Sequence, residues 1–320
     1  MPTDDRYDAK NLHEIAADLR KGLGRLQKEL DYLEMRRASR RALASLQEVA
    51  QETFKLGVWL DDPPSLVLQP NYLGLLTDLG VDHLVVMVDG PEPGLDDARW
   101  DVGQLQRLRT MLPAQIDLVP SIWPIPSRHF IENVLPNRLP AILQACHTSR
   151  LELDCEPAGD WTKGDLDGYQ TLEQCSHALW GVLRRAGVEF LDVTTFPAAV
   201  RHCAALLDAS KGRLVLQTYA VTTRQGEDVG FESNLGPEKW TERGYQIARR
   251  STDAPVALGI AAYRSKFPNR TEAHAWRTQL RVFRELEGVE RVVRVWSSKW
   301  LCRKKGHARR RAELVKTLRP

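Results

Sequence analysis

The segment Leu151-Glu152-Leu153-Asp154-Cys155-Glu156-Pro157 carries the densest chemistry in the chain. Side chains along a β-strand alternate between two faces. Leu151, Leu153 and Cys155 therefore share one face, and Glu152, Asp154 and Glu156 the other. In a parallel strand covered on both sides, the apolar set suits a helix layer, and three carboxylates point the opposite way. Burying an unpaired carboxylate costs several kcal/mol, roughly, unless it is paired or protonated. Clustered like charges push at least one pKa upward. A carboxylic acid kept protonated near neutral pH can donate a proton to a leaving group. The cluster has two other uses: neutralisation by a buried cation, for which Arg213 and Arg264 are the nearest candidates, or coordination of magnesium together with Asp89.

Eight short apolar runs are expected as strands: Leu56–Leu60, Leu84–Val88, Ile116–Pro120, Arg150–Asp154, Glu189–Val193, Arg213–Gln217, Val256–Ile260 and Val292–Trp296. Helical patterns lie between them, among them Gly103–Met111, Leu172–Ala186, Ala198–Ala209 and Thr271–Leu286. This repeat predicts an α/β chain folded as a (β/α)8 TIM barrel, with its functional residues where strands end and βα loops begin. No glycine-rich phosphate loop follows the first strand, which argues against an open doubly wound sheet. The expected strand ends offer Asp61, Asp89, Trp123, Asp154, Glu156, Gln217, Tyr219, Tyr263 and Trp296, with Glu152 deeper on the fourth strand. A rim of carboxylates and aromatics suits a sugar, whose ring C–H faces stack on aromatics while its hydroxyls meet carboxylates.

At these residues the chain resembles two families of barrel glycoside hydrolases. Glu152-x-Asp154-x-Glu156 is similar to the second half of the Asp-x-x-Asp-x-Asp-x-Glu motif of family 18, the chitinases. Glu stands here for the middle Asp, and Ser149 for the first. That resemblance implies Glu156 as the acid, Asp154 as the residue orienting the substrate's N-acetyl group, Tyr219 holding the acetamide and Trp296 flooring the cleaved sugar's subsite. Asp154-x-Glu156 with Asp61 also looks like the arrangement of family 25, the muramidases, although the Gly-x-Asp opening usual there reads Gly57-Val58-Trp59. Both resemblances imply cleavage of β-linked polymers of N-acetylated sugars. In-facing carboxylates at i and i+2 have Cα atoms about 6.5 Å apart, a spacing compatible with net retention. The expected catalytic pair is Glu156 and Asp154, and the expected substrate-binding residues are Glu152, Asp61, Asp89, Trp123, Gln217, Tyr219, Tyr263 and Trp296.

The 320 residues are 42% hydrophobic and 27% charged, which excludes global disorder. Five scattered cysteines without a C-x-x-C pair fit reduced thiols. No cofactor and no metal site is expected, because the histidines show no ligand spacing and no nucleotide motif occurs. Residues 1–53 are expected as a helical, coiled-coil-like extension, with a stripe at Leu12, Ile15, Leu19, Leu23, Leu26, Leu30 and Leu33 that serves self-association or docking. Residues 54–302 are the expected catalytic barrel. Residues 303–320 are the expected basic tail. From Lys299 to Pro320 nine Lys/Arg face one Glu, leaving the rest of a +3 chain at −5. Only this end is therefore suited to an anionic envelope, and nucleic acid is not an expected partner. Neither a membrane span nor a signal peptide is visible, so synthesis in the cytoplasm and action at a cell wall after release or injection is the expectation.

These observations lead first to a glycoside hydrolase of the muramidase or endolysin kind, acting on peptidoglycan. The alternatives are a non-catalytic glycan-binding or structural barrel of a larger assembly, and a metal-dependent barrel lyase or phosphodiesterase.

Overall fold

The computed structural model describes residues 54–89, 99–156, 161, 166–219, 221–222, 228–229, 235–262, 267, 270–302 and 308–318. Thr53–Pro320 makes one compact unit. The extension expected over 1–53 lies outside the described residues. Eight parallel strands close on themselves: β1 (Lys55–Leu60), β2 (His83–Asp89), β3 (Asp117–Ile122), β4 (Arg150–Asp154), β5 (Phe190–Thr195), β6 (Arg213–Gln217), β7 (Val256–Ala261) and β8 (Val289–Trp296). Each pairs with the next in chain order, and β8 pairs with β1. Helices α1 (Pro70–Asp78), α2 (Val102–Met111), α3 (Leu135–Cys146), α4 (Leu172–Arg185), α5 (Val200–Ser210), α6 (Gly236–Arg249), α7 (Glu272–Glu285) and α8 (Ala308–Leu318) follow the strands in turn. This is a (β/α)8 TIM barrel, and all eight strands fall where the apolar runs predicted them.

The helix starts are written locally. Asp101 accepts from the Gln104 amide while the Gln104 side chain returns to the Asp101 amide, a capping box that opens α2. Thr171 and Thr271 cap α4 and α7 through the amides of Gln174 and His274.

Strand alternation sorts the side chains into two sets. Leu56, Val58, Leu84, Val86, Leu118, Leu151, Leu153, Leu191, Val193, Leu214, Leu216, Leu258, Ile260, Val293 and Val295 join the helices in one large apolar cluster. Trp59, Val85, Val119, Val215, Ala257 and Val292 form a separate cluster inside the barrel. Beside them the interior holds His83, Glu152, Asp192, Arg213 and Arg294, none more than 4% exposed. Arg294 lies on β8 and reaches across the barrel to β4 and β5, donating to both Glu152 and Asp192.

The stem of that arginine needs room, and Gly57 on β1 provides it. Gly57 pairs in register with both His83 and Arg294. A Cβ added there would stand 1.9 Å from His83 Nε2 and 2.5 Å from Arg294 Cδ.

One stretch differs from its sequence reading. The basic end is largely the eighth helix. Leu314 and Leu318 of α8 are buried in the core, Arg310 bonds Glu272 and the Trp300 carbonyl, and Arg311 bonds the Leu301 carbonyl. These guanidiniums anchor a helix, which removes them from the charge available to a polyanion. After β6, α6 begins at Gly236. Trp240 on that helix is buried with Phe267 and Ala275. Val221–Thr222 and Asp228–Val229 pair as a small antiparallel hairpin.

Gly57→Ala is expected to lower stability by about 1–3 kcal/mol, since backbone and two buried side chains must shift to admit one methyl. Urea unfolding checks this, and an unchanged midpoint would show that the interior rearranges without cost.

Candidate active site

Glu152 and Asp154 on β4 and Glu156 just beyond its end line the barrel side of this segment, but they sit at different depths with different partners. Glu152, the deepest, has no exposed surface. Its Oε1 accepts from the Trp59 indole N–H at 2.5 Å, and its Oε2 accepts from Arg294. Both partners are donors only, which fits an ionised carboxylate. Burial pushes the Glu152 carboxyl up, Arg294 pulls it down, and neighbouring Asp192 raises it again. Glu152 is thus a structural ion-pair partner, correcting its expected place among the substrate-binding residues. The cation that neutralises it is Arg294, which neither sequence candidate anticipated; Arg213 is used, but on Asp192, and residue 264 lies outside the described residues.

Asp192 collects three arginines. Arg213 donates to it through Nε and Nη2, both at 2.9 Å, Arg150 through Nη2 at 3.3 Å, and Arg294 through Nη2. Burial alone would raise this carboxyl, yet Arg294 and Arg213 outweigh burial and hold it below the usual range. Arg150 and Arg213 continue outward to Asp117 at 3.1 Å and Glu290 at 2.5 Å. The network therefore runs from the barrel centre to the N-terminal ends of the strands. His83, buried beside it, is kept neutral by burial and by the fields of Arg294, Arg150 and Arg213.

Asp154, one in-facing position above Glu152, is 1% exposed and pairs in register with Thr194. Glu156 follows at the mouth and is half-buried. Its backbone is pinned at Cys155, whose amide donates to the Thr194 carbonyl at 2.8 Å and whose carbonyl accepts from Thr195 Oγ1 at 2.5 Å. Burial pushes the Glu156 carboxyl up to about 7, and the Gln217 side chain on β6 works against that rise. Of the two causes expected, burial and mutual repulsion, burial acts on Glu156, and the deepest carboxylate is neutralised by arginine. Cys155 faces the helix layer and is buried there, as alternation predicted.

The other expected residues divide. Gln217 is fully buried against Glu156, and Tyr219 is 5% exposed, edge-on to Phe196 with ring centroids 5.6 Å apart. Trp123 is 5% exposed, so it offers little face to a ligand. Trp296 is the partly exposed indole of this group and packs on Trp59 with centroids 5.7 Å apart and planes tilted by 58°. Its peptide bond to Ser297 is cis. Asp61 accepts from the Lys299 amide at 3.1 Å and Ser298 Oγ at 3.3 Å. It thereby caps the short helix Ser298–Cys302 after β8 and ties two strand ends together. Burial pushes its carboxyl up, against the bond from the Lys299 amide. Asp89 ends β2, but its side chain lies outside the described residues, as does Tyr263. Among the described residues no group of three His, Cys, Asp or Glu is placed to hold a metal ion, and no helix is long and apolar enough to cross a membrane.

Arg294 is the interior residue the sequence reading passed over, and Trp59, expected at the end of the first strand, bonds Glu152. The signal for Arg294 was the alternation already used for β4: it lies two before Trp296 on β8.

No protein-family model matches the chain, and no curated protein matches it. Solved structures do. A family 18 chitinase from Pseudoalteromonas aurantia is similar at 10% identity and a TM-score of 0.52, covering 82% of this chain and 100% of that one. The active domain 2 of a thermostable chitinase from Pyrococcus furiosus, solved with chito-oligosaccharides, is similar at 9% identity and a TM-score of 0.51, over 77% and 84%. The tryptophan synthase α subunit of Legionella pneumophila reaches a TM-score of 0.51 at 10% identity, over 87% and 97%. The likeness is one of fold. A barrel shared equally with chitinases and a tryptophan synthase subunit leaves the chemistry to the residues at its mouth.

Removing Gln217 should raise the Glu156 pKa further, because the side chain beside it favours the charged form. In Gln217→Leu, the Glu156 carboxyl followed by carbon-13 NMR is expected to titrate above its starting value of about 7; an unshifted titration would show that Gln217 does not tune it. Arg294→Ala leaves Glu152 without its cation and is expected to cost about 3–5 kcal/mol, read from denaturant unfolding.

Proposed function

We propose that the barrel is a glycoside hydrolase acting on β-linked polymers of N-acetylated sugars, with Glu156 as general acid/base and Asp154 as the residue that orients and stabilises the reacting sugar. The observation that carries this reading is the state of Glu156: a half-buried carboxyl at the mouth of β4, pinned through Cys155, and pushed by burial up to about 7. An acid of that strength is protonated in a useful fraction of molecules near neutrality and remains a competent base once it has given up its proton.

The proposed roles are these. Protonated Glu156 donates its proton to the glycosidic oxygen as the bond to the leaving sugar breaks. As a carboxylate it then takes a proton from the water that attacks the anomeric carbon, and the acid is restored. Asp154, buried below it on the same face, lies where positive charge develops on the sugar ring, and the shared segment keeps the two groups at fixed spacing. Trp296 supplies the partly exposed ring on which a pyranose stacks. The substrate class rests on the resemblance of Glu152-x-Asp154-x-Glu156 to the chitinase and muramidase motifs, with peptidoglycan and chitin the two polymers to compare. The apolar stripe within residues 1–53 is proposed as a docking or self-association element, a reading that sedimentation of the whole chain tests.

Release of reducing ends from purified peptidoglycan and from chitin oligomers tests the activity. Glu156→Gln is expected to lose about 10²–10⁴-fold in kcat while keeping its fold. Wild-type activity is expected to fall as pH rises through about 7, where Glu156 loses its proton. Persistence of activity in EDTA would support the carboxylate mechanism, and its loss would move the reading to a metal-dependent lyase or phosphodiesterase. A folded protein inert on both polymers would make the glycan-binding or structural barrel the better reading.

A further inference from the structure

The glycosidase reading leaves Arg294 and Glu152 without a role in the reaction. Both are fully buried, so neither can touch a polymer. Their contacts nevertheless lead to the mouth of the barrel. One oxygen of Glu152 accepts from Arg294 and the other from the Trp59 indole N–H. The Arg294 guanidinium carbon stands 5.9 Å from the Trp59 ring centroid. Trp59, itself 4% exposed, holds Trp296 at a centroid distance of 5.7 Å. Trp296 is the member of this chain of contacts that reaches solvent.

A stacking platform works only at a defined tilt, and ordering a loose side chain at the moment of binding weakens the complex. An indole N–H buried against a carboxylate has one low-energy orientation, because any rotation leaves both donor and charge unsatisfied in a dry interior. Trp59 is therefore fixed in two ways, by its bond to Glu152 and by the cation against its ring. On the other side Asp61 fastens the chain immediately beyond Trp296 by capping the Ser298–Cys302 helix.

We propose that Glu152, held by Arg294, is a positioning residue that orients Trp296 through Trp59 as the floor on which a sugar ring stacks. This rests on the reading of the barrel as a glycan-acting enzyme. It gives the buried ion pair a task beyond neutralising its own charge, and it predicts that removing the pair is felt at the mouth in substrate affinity rather than in the proton-transfer step.

The test uses the full chain and two readouts, one of which needs no sugar. The neighbouring indoles of Trp59 and Trp296 should give an exciton couplet in circular dichroism, assigned by its loss in Trp296→Ala. The double variant Glu152→Met with Arg294→Met removes both charges together and leaves Asp192 to Arg213 and Arg150, so folding is expected to be retained. In that variant, at unchanged helix content, the couplet is expected to fall by about half or more. The second readout is affinity for N-acetylglucosamine oligomers in the turnover-free Glu156→Gln background. Trp59→Phe, which keeps the ring but removes the N–H, is expected to weaken binding about fivefold, and the paired Met variant similarly. Adding either change to Trp296→Ala is expected to cause no further loss, because both act through that ring. Losses that add, or a couplet that survives in the paired Met variant, would overturn the proposal. A couplet that collapses in a protein binding no oligomer would leave the positioning standing and overturn the sugar as its occupant.

Discussion

Arg294 crosses the inside of the barrel and binds Glu152 and Asp192 on the opposite wall, and the rest of the interior is arranged to make that contact possible. An arginine cannot shed its proton, so it must bring carboxylates with it into a space closed to water. Gly57 clears its path. His83 is kept neutral beside it. Arg213 and Arg150 supply the further positive charge that Asp192 then accommodates, and they carry the network down to Asp117 and Glu290. Replacing such a network with apolar side chains is often neutral for stability in other proteins. Its presence here accords with a demand for fixed geometry above it rather than for stability alone.

That fixed geometry separates three carboxylates of one segment into three environments. Glu152 meets arginine and an indole N–H, Asp154 is buried beside Thr194, and Glu156 stands half-buried at the mouth against a glutamine. The same side-chain chemistry, repeated every second residue, yields an ion-pair partner at the bottom and a near-neutral acid at the top. The difference comes from which wall of the barrel each group faces and how much water reaches it.

Much of the scaffold was legible in the sequence. The eight apolar runs matched eight strands, Arg150–Asp154 and Arg213–Gln217 to the residue, because a barrel strand buried on its helix side must be apolar at every second position. Alternation correctly sent Cys155 outward and the carboxylates inward. It was less informative about loops and chain ends. The basic run at the end of the chain read as a tail because charge dominates its composition, yet Leu314 and Leu318, four apart, were the helical signal that the core used. Asp61 read as a rim carboxylate, and its work is to cap a short helix reached only after the chain has gone round the whole barrel.

The sequence by itself determined the periodicity, hence the barrel, and the face on which Glu152, Asp154 and Glu156 lie, because both follow from spacing along one strand. Only the tertiary structure decided what each carboxylate became. Arg294 lies 142 residues from Glu152, and Gln217 comes to Glu156 from another strand. Pairing, burial and pKa are set by groups that meet across the closed barrel, and no local pattern along β4 encodes which of them will be opposite.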